Sequence, residues 1–152
     1  NCQQRRDPQF KKGLNNVNLT TDEIAENFAL FSDWEERYQY LIDLGKALPA
    51  LDEAHKTDLY KVRGCTSQVW LVPDVADGKL RFQADSDALI VKGLIAVLMS
   101  AYNAKTPSEI SEFPINDYFD SLGLGQNLSP NRRNGFFAMV EKIKSLALAA
   151  QN

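Results

Sequence analysis

The chain of 152 residues is poor in metal-ligating side chains, with two cysteines and one histidine. A structural zinc site usually needs four Cys or His ligands, and an iron–sulfur cluster needs four thiolates or near equivalents. Cys2, Cys65 and His55 cannot fill either site, so we expect no bound metal and no cofactor in a single copy of the chain. A Cys2–Cys65 disulfide is unfavoured, because Cys2 lies in a terminal segment and disulfides are rare inside cells.

An excess of basic charge is also missing, since 17 Lys and Arg face 20 Asp and Glu for a net charge of −3. This balance argues against a nucleic-acid-binding module, which usually concentrates basic charge on one face. The longest apolar runs, 69–72 and 93–99, are far shorter than the about 20 residues that span a bilayer. The first residues are polar and basic, unlike a secretory signal. We therefore expect a cytoplasmic protein with neither nucleic-acid nor membrane partners.

The composition that is present, 44% hydrophobic and 24% charged, is that of an ordinary globular domain. A chain of this length can bury about 70% of its unfolded surface and needs no covalent staples. Residues 1–18 are polar and basic with almost no apolar periodicity, which predicts a flexible N-terminal tail. Residues 19–152 are predicted to form one domain.

Two helix start signals open the domain. Thr20–Glu23 and Ser32–Glu35 both have the sequence of a capping box, in which the first hydroxyl and the fourth carboxylate bond exposed backbone amides. Apolar side chains at helical spacing follow each box. Pro49 is predicted to end the second helix.

The spacing of the apolar residues then changes from the helical period to one typical of strands. Residues 60–62 are compatible with a short strand, residues 64–67 with a turn, and residues 68–72 with a β-branched and aromatic strand. Asp77-Gly78 is a strong hairpin signal. Beyond it, inward apolar residues alternate with polar ones in the pattern of a half-buried strand.

The helical period returns for the rest of the chain. Residues 88–102 are apolar nearly all round, which predicts a buried central helix capped by Ser86 or Asp87. Short helices are predicted after Thr106-Pro107 and over 116–121, and a last helix after Ser129-Pro130. The fold class expected is α+β: a small antiparallel sheet of two or three strands packed against several helices.

Several familiar catalytic motifs are absent from the sequence. It contains no GxxxxGK[ST] phosphate loop, no GxGxxG after a strand, no HExxH and no GxSxG. His55 lies in a polar connection and is expected to be a solvated loop residue. The acidic side chains fall mostly at helix starts and on surfaces, where capping accounts for them.

Cys65 differs from these residues because of its setting. It follows Gly64, which permits backbone angles that other residues resist, and it precedes Thr66 and Ser67 in a predicted turn. Arg63 supplies nearby positive charge, which favours the nucleophilic thiolate. The alternative is a packed structural cysteine, because cysteine is among the most buried residue types.

The segment Val62-Arg-Gly-Cys65-Thr-Ser-Gln-Val-Trp-Leu-Val72 resembles the signature of the SufE-like family, the sulfur-acceptor partners of cysteine desulfurases in iron–sulfur cluster assembly. Three further segments match in the family's order: 41–49, 84–94 and 128–135, the last with Met139. The resemblance runs from Phe31 to Ala149. Thr66 departs from it, because family members often carry Gln or Glu there, and this change bears more on partner preference than on chemistry.

The resemblance implies a function. In this family one cysteine takes sulfane sulfur from the persulfide of a desulfurase that uses pyridoxal phosphate, activates that enzyme and passes the sulfur to a scaffold protein. Such a carrier serves the desulfurase and is not a stand-alone enzyme. The resemblance assigns Cys65 as the acceptor, and we expect the supporting loop and docking surface to include Arg63, Gly64, Thr66, Ser67, Gln68, Asp87 and Arg132.

Arg132 lies in the segment 128–135, at the start of the last predicted helix. With Ser129 as the N-cap it falls in the first helical turn, where the helix dipole disfavours a cation. A compensating partner is expected, either the loop carbonyls beside Cys65 or the anionic sulfur itself. The structural alternative is that Arg132 pairs with an acidic side chain or ties down the Cys65 loop. Arg133 is expected to point elsewhere, because consecutive helical residues diverge by about 100°.

Three alternatives stay open at this point. The domain could regulate a desulfurase by docking alone, with Cys65 as a packed residue. It could be a cysteine hydrolase that uses Cys65 and His55. It could be a cluster scaffold, which the small number of ligands disfavours.

Overall fold

The computed structural model of the chain describes residues 20–64 and 67–151. The predicted tail, and with it Cys2, therefore lies outside the described residues. Cys65 and Thr66 lie outside them as well.

Two helices open the domain, α1 (Thr21–Ala29) and α2 (Trp34–Lys46). The predicted capping box at the start of α1 is confirmed. The second helix start was predicted one residue too early, because Asp33 and not Ser32 is the N-cap and accepts a hydrogen bond from the Glu36 amide at 2.9 Å. The Glu36 carboxylate in turn accepts from the Ser32 amide at 3.1 Å.

The connection after α2 contains one 3-10 turn, Glu53–His55. The short strand expected at 60–62 is reduced to an isolated bridge between Lys61 and Trp70. Two backbone hydrogen bonds flank this bridge: Val62 donates to the Val69 carbonyl at 2.8 Å, and Leu71 donates to the Tyr60 carbonyl at 2.9 Å. Within residues 20–64 and 67–151 the sheet therefore has two strands, in the predicted range of two or three.

A hairpin forms the whole sheet, with β1 (Val69–Ala76) paired along its length to β2 (Lys79–Ser86). The predicted turn between them is confirmed: Asp77 and Gly78 have φ angles of 56° and 75°. Positive φ at both central residues is the requirement of a type I′ turn, which suits the twist of a hairpin. Alternate residues of β2, among them Leu80 and Phe82, face the core as predicted.

Helix α3 (Leu89–Tyr102) is the centre of the fold, and most of its residues are buried. It crosses α2 so closely that a Cβ on Gly93 would lie 2.1 Å from the Leu41 carbonyl oxygen. A Cβ on Gly45 would likewise lie 2.7 Å from the Gly93 nitrogen. The two glycines therefore set the distance between these helices.

The remaining helices close the other sides of the core. They are α4 (Pro107–Glu112), α5 (Ile115–Ser121), α6 (Leu124–Asn127) and α7 (Pro130–Gln151). The short helix α6 was not predicted, since four residues are too few to show a period. The predicted inward face of α7 is confirmed by the buried side chains of Phe136, Val140, Ile143 and Ala147. Within the described residues, none of the helices combines the length and apolarity needed to cross a bilayer.

The close crossing of α2 and α3 predicts the effect of Gly93→Ala. Alanine is a better helix former than glycine by about 1 kcal/mol, so an uncrowded site would become more stable. Because the new methyl group would overlap Leu41, we expect the free energy of unfolding to fall by about 2 kcal/mol or more in urea denaturation. Ser145→Ala, on an exposed position of α7, is the control and should change stability little. A gain in stability for Gly93→Ala would contradict the crossing.

Candidate functional site

The loop 63–68 is closed at its base by the bond between the Val62 amide and the Val69 carbonyl, 2.8 Å long. Gly64 has a φ of +89°, a left-handed conformation that glycine adopts without steric cost. A Cβ at Gly64 would lie 3.3 Å from the Ala138 side chain, so this part of the loop lies against α7. Arg63, Gly64 and Gln68 are exposed, and Ser67 is half-buried.

A cavity of about 200 Å³ lies beside this loop, and Ser67 forms part of its wall. The start of β1, the first half of α3 and the start of α7 supply the rest of the lining. The apolar lining residues are Val69, Val91, Leu94, Phe136 and Met139. The polar ones besides Ser67 are Ser129, Asn131 and Arg132.

Arg132 contacts the loop directly, since its Nη1 donates to the Ser67 hydroxyl at 3.3 Å. Its backbone amide donates to the Ser129 hydroxyl at 3.3 Å, which places Arg132 in the first turn of α7. The neighbouring Arg133 points away, and its Nη1 donates to the carbonyls of Gly125 at 2.9 Å and Leu128 at 3.4 Å. Arg132 thus binds the loop 63–68, and Arg133 binds the segment just before α7.

Asp87 binds the other end of the loop and does not cap α3. Its Oδ1 accepts from the Gln68 amide at 3.1 Å, and its own amide donates to the Gln68 carbonyl at 3.3 Å. The capping expectation was therefore wrong for Asp87: the N-cap of α3 is Ala88, and no side chain bonds the helix amides there. Because Val69 pairs with Ser86 in the hairpin, Asp87 continues the register opposite Gln68. Ser86 is also not the N-cap, and its hydroxyl accepts from the Ala88 amide at 3.2 Å.

His55 differs from the solvated residue that the sequence suggested. It is half-buried, and its ring packs edge-on against Tyr60 with centroids 5.7 Å apart. Its Nδ1 is buried and has no hydrogen-bond partner among the described residues. The 3-10 turn that holds His55 folds back over the hairpin, which explains the burial. His55 contributes to a separate cavity with Val72 and Arg81, and it is not among the described residues that line the cavity beside the loop.

Asp85 is a buried carboxylate, only 5% exposed. The alternation of apolar and polar residues along β2 did not predict this burial. Burial alone would raise the pKa of Asp85. The hydrogen bond from the Ser86 amide and the positive charges of Lys92 and Lys56 outweigh that effect, and the pKa lies below its ordinary value. The carboxylate is therefore ionised at neutral pH. In the part of the chain that the structure describes, no group of three His, Cys, Asp or Glu side chains could hold a metal ion.

Sequence reasoning also missed most of the cavity lining. Ser129 was recognised only as a helix cap, and Met139 only as part of a motif. Val91 and Leu94 could not be distinguished from the other apolar residues of a helix that is apolar nearly all round. The helical spacing of residues 132, 135, 136 and 139 was the one signal that these positions share a face of α7.

Comparisons with known proteins agree on the family. The SufE Fe–S metabolism associated domain matches residues 22–147. A SufE-like protein of Rhizobium meliloti is 44% identical over 130 residues, which cover 83% of this chain and 93% of that protein. A SufE-like protein of Rhizobium etli is 43% identical over 140 residues, 90% of this chain and 95% of that protein.

A solved structure supports the fold. The solution structure of a Thermus thermophilus protein superimposes with a TM-score of 0.70, covering 90% of this chain and 96% of that one at 21% identity. The predicted α+β fold and the predicted family are both confirmed. Family membership also links the chain to the iron–sulfur assembly machinery. The chain belongs to the SufE family, and its role is in iron–sulfur metabolism.

Proposed function

We propose that this protein is a sulfur acceptor: Cys65 takes sulfane sulfur from the persulfide of a cysteine desulfurase and passes it on to a scaffold protein. The observation that carries the proposal is the loop 63–68, which holds the cysteine between Gly64 and Ser67. That loop is closed at its base and bonded to Arg132 beside a small cavity. Pyridoxal phosphate belongs to the desulfurase and not to this chain.

The transfer is a displacement at sulfur. The Cys65 thiolate attacks the terminal sulfur of the donor persulfide, a new S–S bond forms on Cys65, and the donor thiolate leaves. The sulfane sulfur keeps its oxidation state, so neither an oxidant nor a reductant is consumed. A second displacement, with Cys65 as the leaving thiolate, would deliver the sulfur to the recipient.

Chain geometry supports a role for the cavity. Cys65 and Ser67 are two residues apart, so their Cα atoms are separated by at most about 7.6 Å. Because Ser67 lines the cavity, this short chain distance is compatible with a role for the cavity in sulfur transfer. Apolar walls would limit access of water and soluble thiols to a bound persulfide.

The charge at the polar side of the cavity suits an anionic sulfur. Arg132 brings a guanidinium to the loop, and the amino end of α7 adds the positive end of a 22-residue helix. Positive charge near a thiol stabilises the thiolate relative to the thiol. A persulfide anion on Cys65 would gain from the same charges.

The surface around the loop has the mixed character of a docking site. Arg63, Gln68 and Asp87 supply exposed polar groups. Leu59 and Leu89, which lie shortly before the loop and just after Asp87 in sequence, are 78% and 50% exposed. Exposed apolar side chains among polar ones are typical of protein interfaces. A desulfurase that delivers sulfur to Cys65 must cover this surface.

The alternative is a regulator that activates the desulfurase by docking and uses Cys65 only for packing. The same exposed leucines would serve such a regulator, so surface contacts alone do not separate the two functions. Transfer of sulfur to the chain separates them. A cysteine hydrolase is less favoured, because the described residues place His55 in a different cavity.

Cys65→Ser tests the proposed function. An alcohol cannot replace the thiolate as acceptor, so we expect no transfer of ³⁵S from labelled cysteine through an active desulfurase of the same source. Thermal unfolding should stay close to that of the wild type, because serine differs from cysteine in a single side-chain atom. Cys2→Ser is the matched control and should accept sulfur like the wild type. Normal labelling of the Cys65→Ser protein would refute the proposal.

Arg132→Ala tests the contact between α7 and the loop, with Arg133→Ala as the matched neighbour. Loss of a hydrogen bond from a charged donor is expected to lower the free energy of local opening of the loop by about 1 kcal/mol. The population of the opened loop would then rise roughly fivefold. Amide exchange at Gln68 should therefore speed up, and sulfur acceptance should slow down, in Arg132→Ala alone. Equal and negligible effects of both substitutions would remove Arg132 from the site.

A further inference from the structure

The hairpin has an outward face that is partly covered. Residues 69, 71, 80, 82 and 84 face the core, so their neighbours Trp70 and Asp85, which pair across the two strands, face outward. Asp85 is nevertheless only 5% exposed. We call residues 49–61, which follow α2 and pass over this face, the strap.

One lysine of the strap covers the outward pair. The Lys56 Nζ lies 3.5 Å from Asp85 Oδ2 and 5.6 Å from the centre of the Trp70 ring. A second lysine, Lys92 of α3, reaches the same carboxylate, with its Nζ 3.3 Å from Oδ1. Asp85 Oδ1 also accepts from the Ser86 amide at 2.8 Å. Asp85 is therefore shared between the strap and the central helix.

The strap leads directly into the loop that carries Cys65. After Lys56, the Tyr60 carbonyl accepts from Leu71 and the Val62 amide donates to Val69, at 2.9 and 2.8 Å. Arg63 and Gly64 follow, and Cys65 is next in the chain. These two backbone bonds are the only described ladder bonds between the strap end and β1, so the strap depends on side-chain contacts for the rest of its hold on the hairpin.

We infer that Lys56, Asp85 and Trp70 form a clasp that positions the loop 63–68 for sulfur transfer. These are positioning residues, because they act through the strap and do not contact the sulfur. The inference rests on the proposed function. It means that contacts on the hairpin face opposite the core help to fix the position of the acceptor loop.

The way the carboxylate is shared supports this role. Removing the partner of a buried charge is costly when no other partner remains. Here Lys92 stays paired with Asp85 whether or not Lys56 is in place. The strap can therefore detach from the hairpin without leaving the buried carboxylate unpaired. The clasp therefore contributes to the order of the strap and much less to the stability of the core.

The two lysines provide a matched pair for the test. In Lys56→Met, we expect amide exchange at Val62 and Leu71 to rise roughly fivefold. The variant loses the cation–π contact with Trp70 and two ion pairs, the one with Asp85 and one of 2.9 Å with Glu53 inside the strap. Exchange at Leu80, whose amide donates to the Lys105 carbonyl and not to the strap, should stay unchanged. The rate of ³⁵S acceptance should fall by a similar factor. In Lys92→Met, exchange at Val62 and acceptance should both match the wild type.

Lys56→Arg keeps the charge and the ring contact, so it should restore both readouts. Lys56→Gln is the second variant if the methionine variant folds poorly. Equal changes in Lys56→Met and Lys92→Met would show a general loss of stability and overturn the clasp. Faster exchange in Lys56→Met with an unchanged acceptance rate would overturn its role in transfer. A wild-type protein that accepts no sulfur would refute the proposed function instead, and the exchange data would still decide whether Lys56 holds the strap.

Discussion

A single backbone hydrogen bond, from the Val62 amide to the Val69 carbonyl, defines the site because it closes the loop 63–68 on itself. Every other contact of the site acts on a loop whose two ends are already joined. Asp87 bonds the Gln68 end, and Arg132 bonds Ser67 from α7. A loop held in this way can present one side chain at a constant position, which a transfer between two sulfur atoms requires.

The helices and the hairpin could be predicted from sequence because their signals are local. A capping box, an Asp-Gly turn and an alternating strand each depend on residues a few positions apart. The start of α2 was one residue wrong, since Ser32 and Asp33 are both good caps and only the position of Glu36 decides between them. Helix α6 has only four residues, too few to show a helical period.

The contacts of the site are long-range, and the sequence could not show them. Arg132 and Ser67 are 65 residues apart, and Asp87 and Gln68 are 19 apart. Asp87 follows a half-buried strand and precedes a helix, so capping was the natural expectation, yet the hairpin register turns its carboxylate toward Gln68. The burial of Asp85 could not be predicted, because nothing in the sequence shows that the strap returns over it. The family resemblance pointed to Arg132, and the expected docking surface around the Cys65 loop pointed to Asp87.

The central claim is that sulfur is carried on Cys65, and the mass of one peptide tests it most directly. The wild-type protein would be incubated with an active desulfurase and cysteine, blocked with iodoacetamide and digested with trypsin without reductant. Cleavage after Arg63 and Lys79 isolates Cys65 in peptide 64–79, and cleavage after Arg5 isolates Cys2. We predict a gain of about 32 Da per sulfur atom on peptide 64–79 alone. An unchanged peptide 64–79, alongside a desulfurase that carries its own persulfide, would contradict the account.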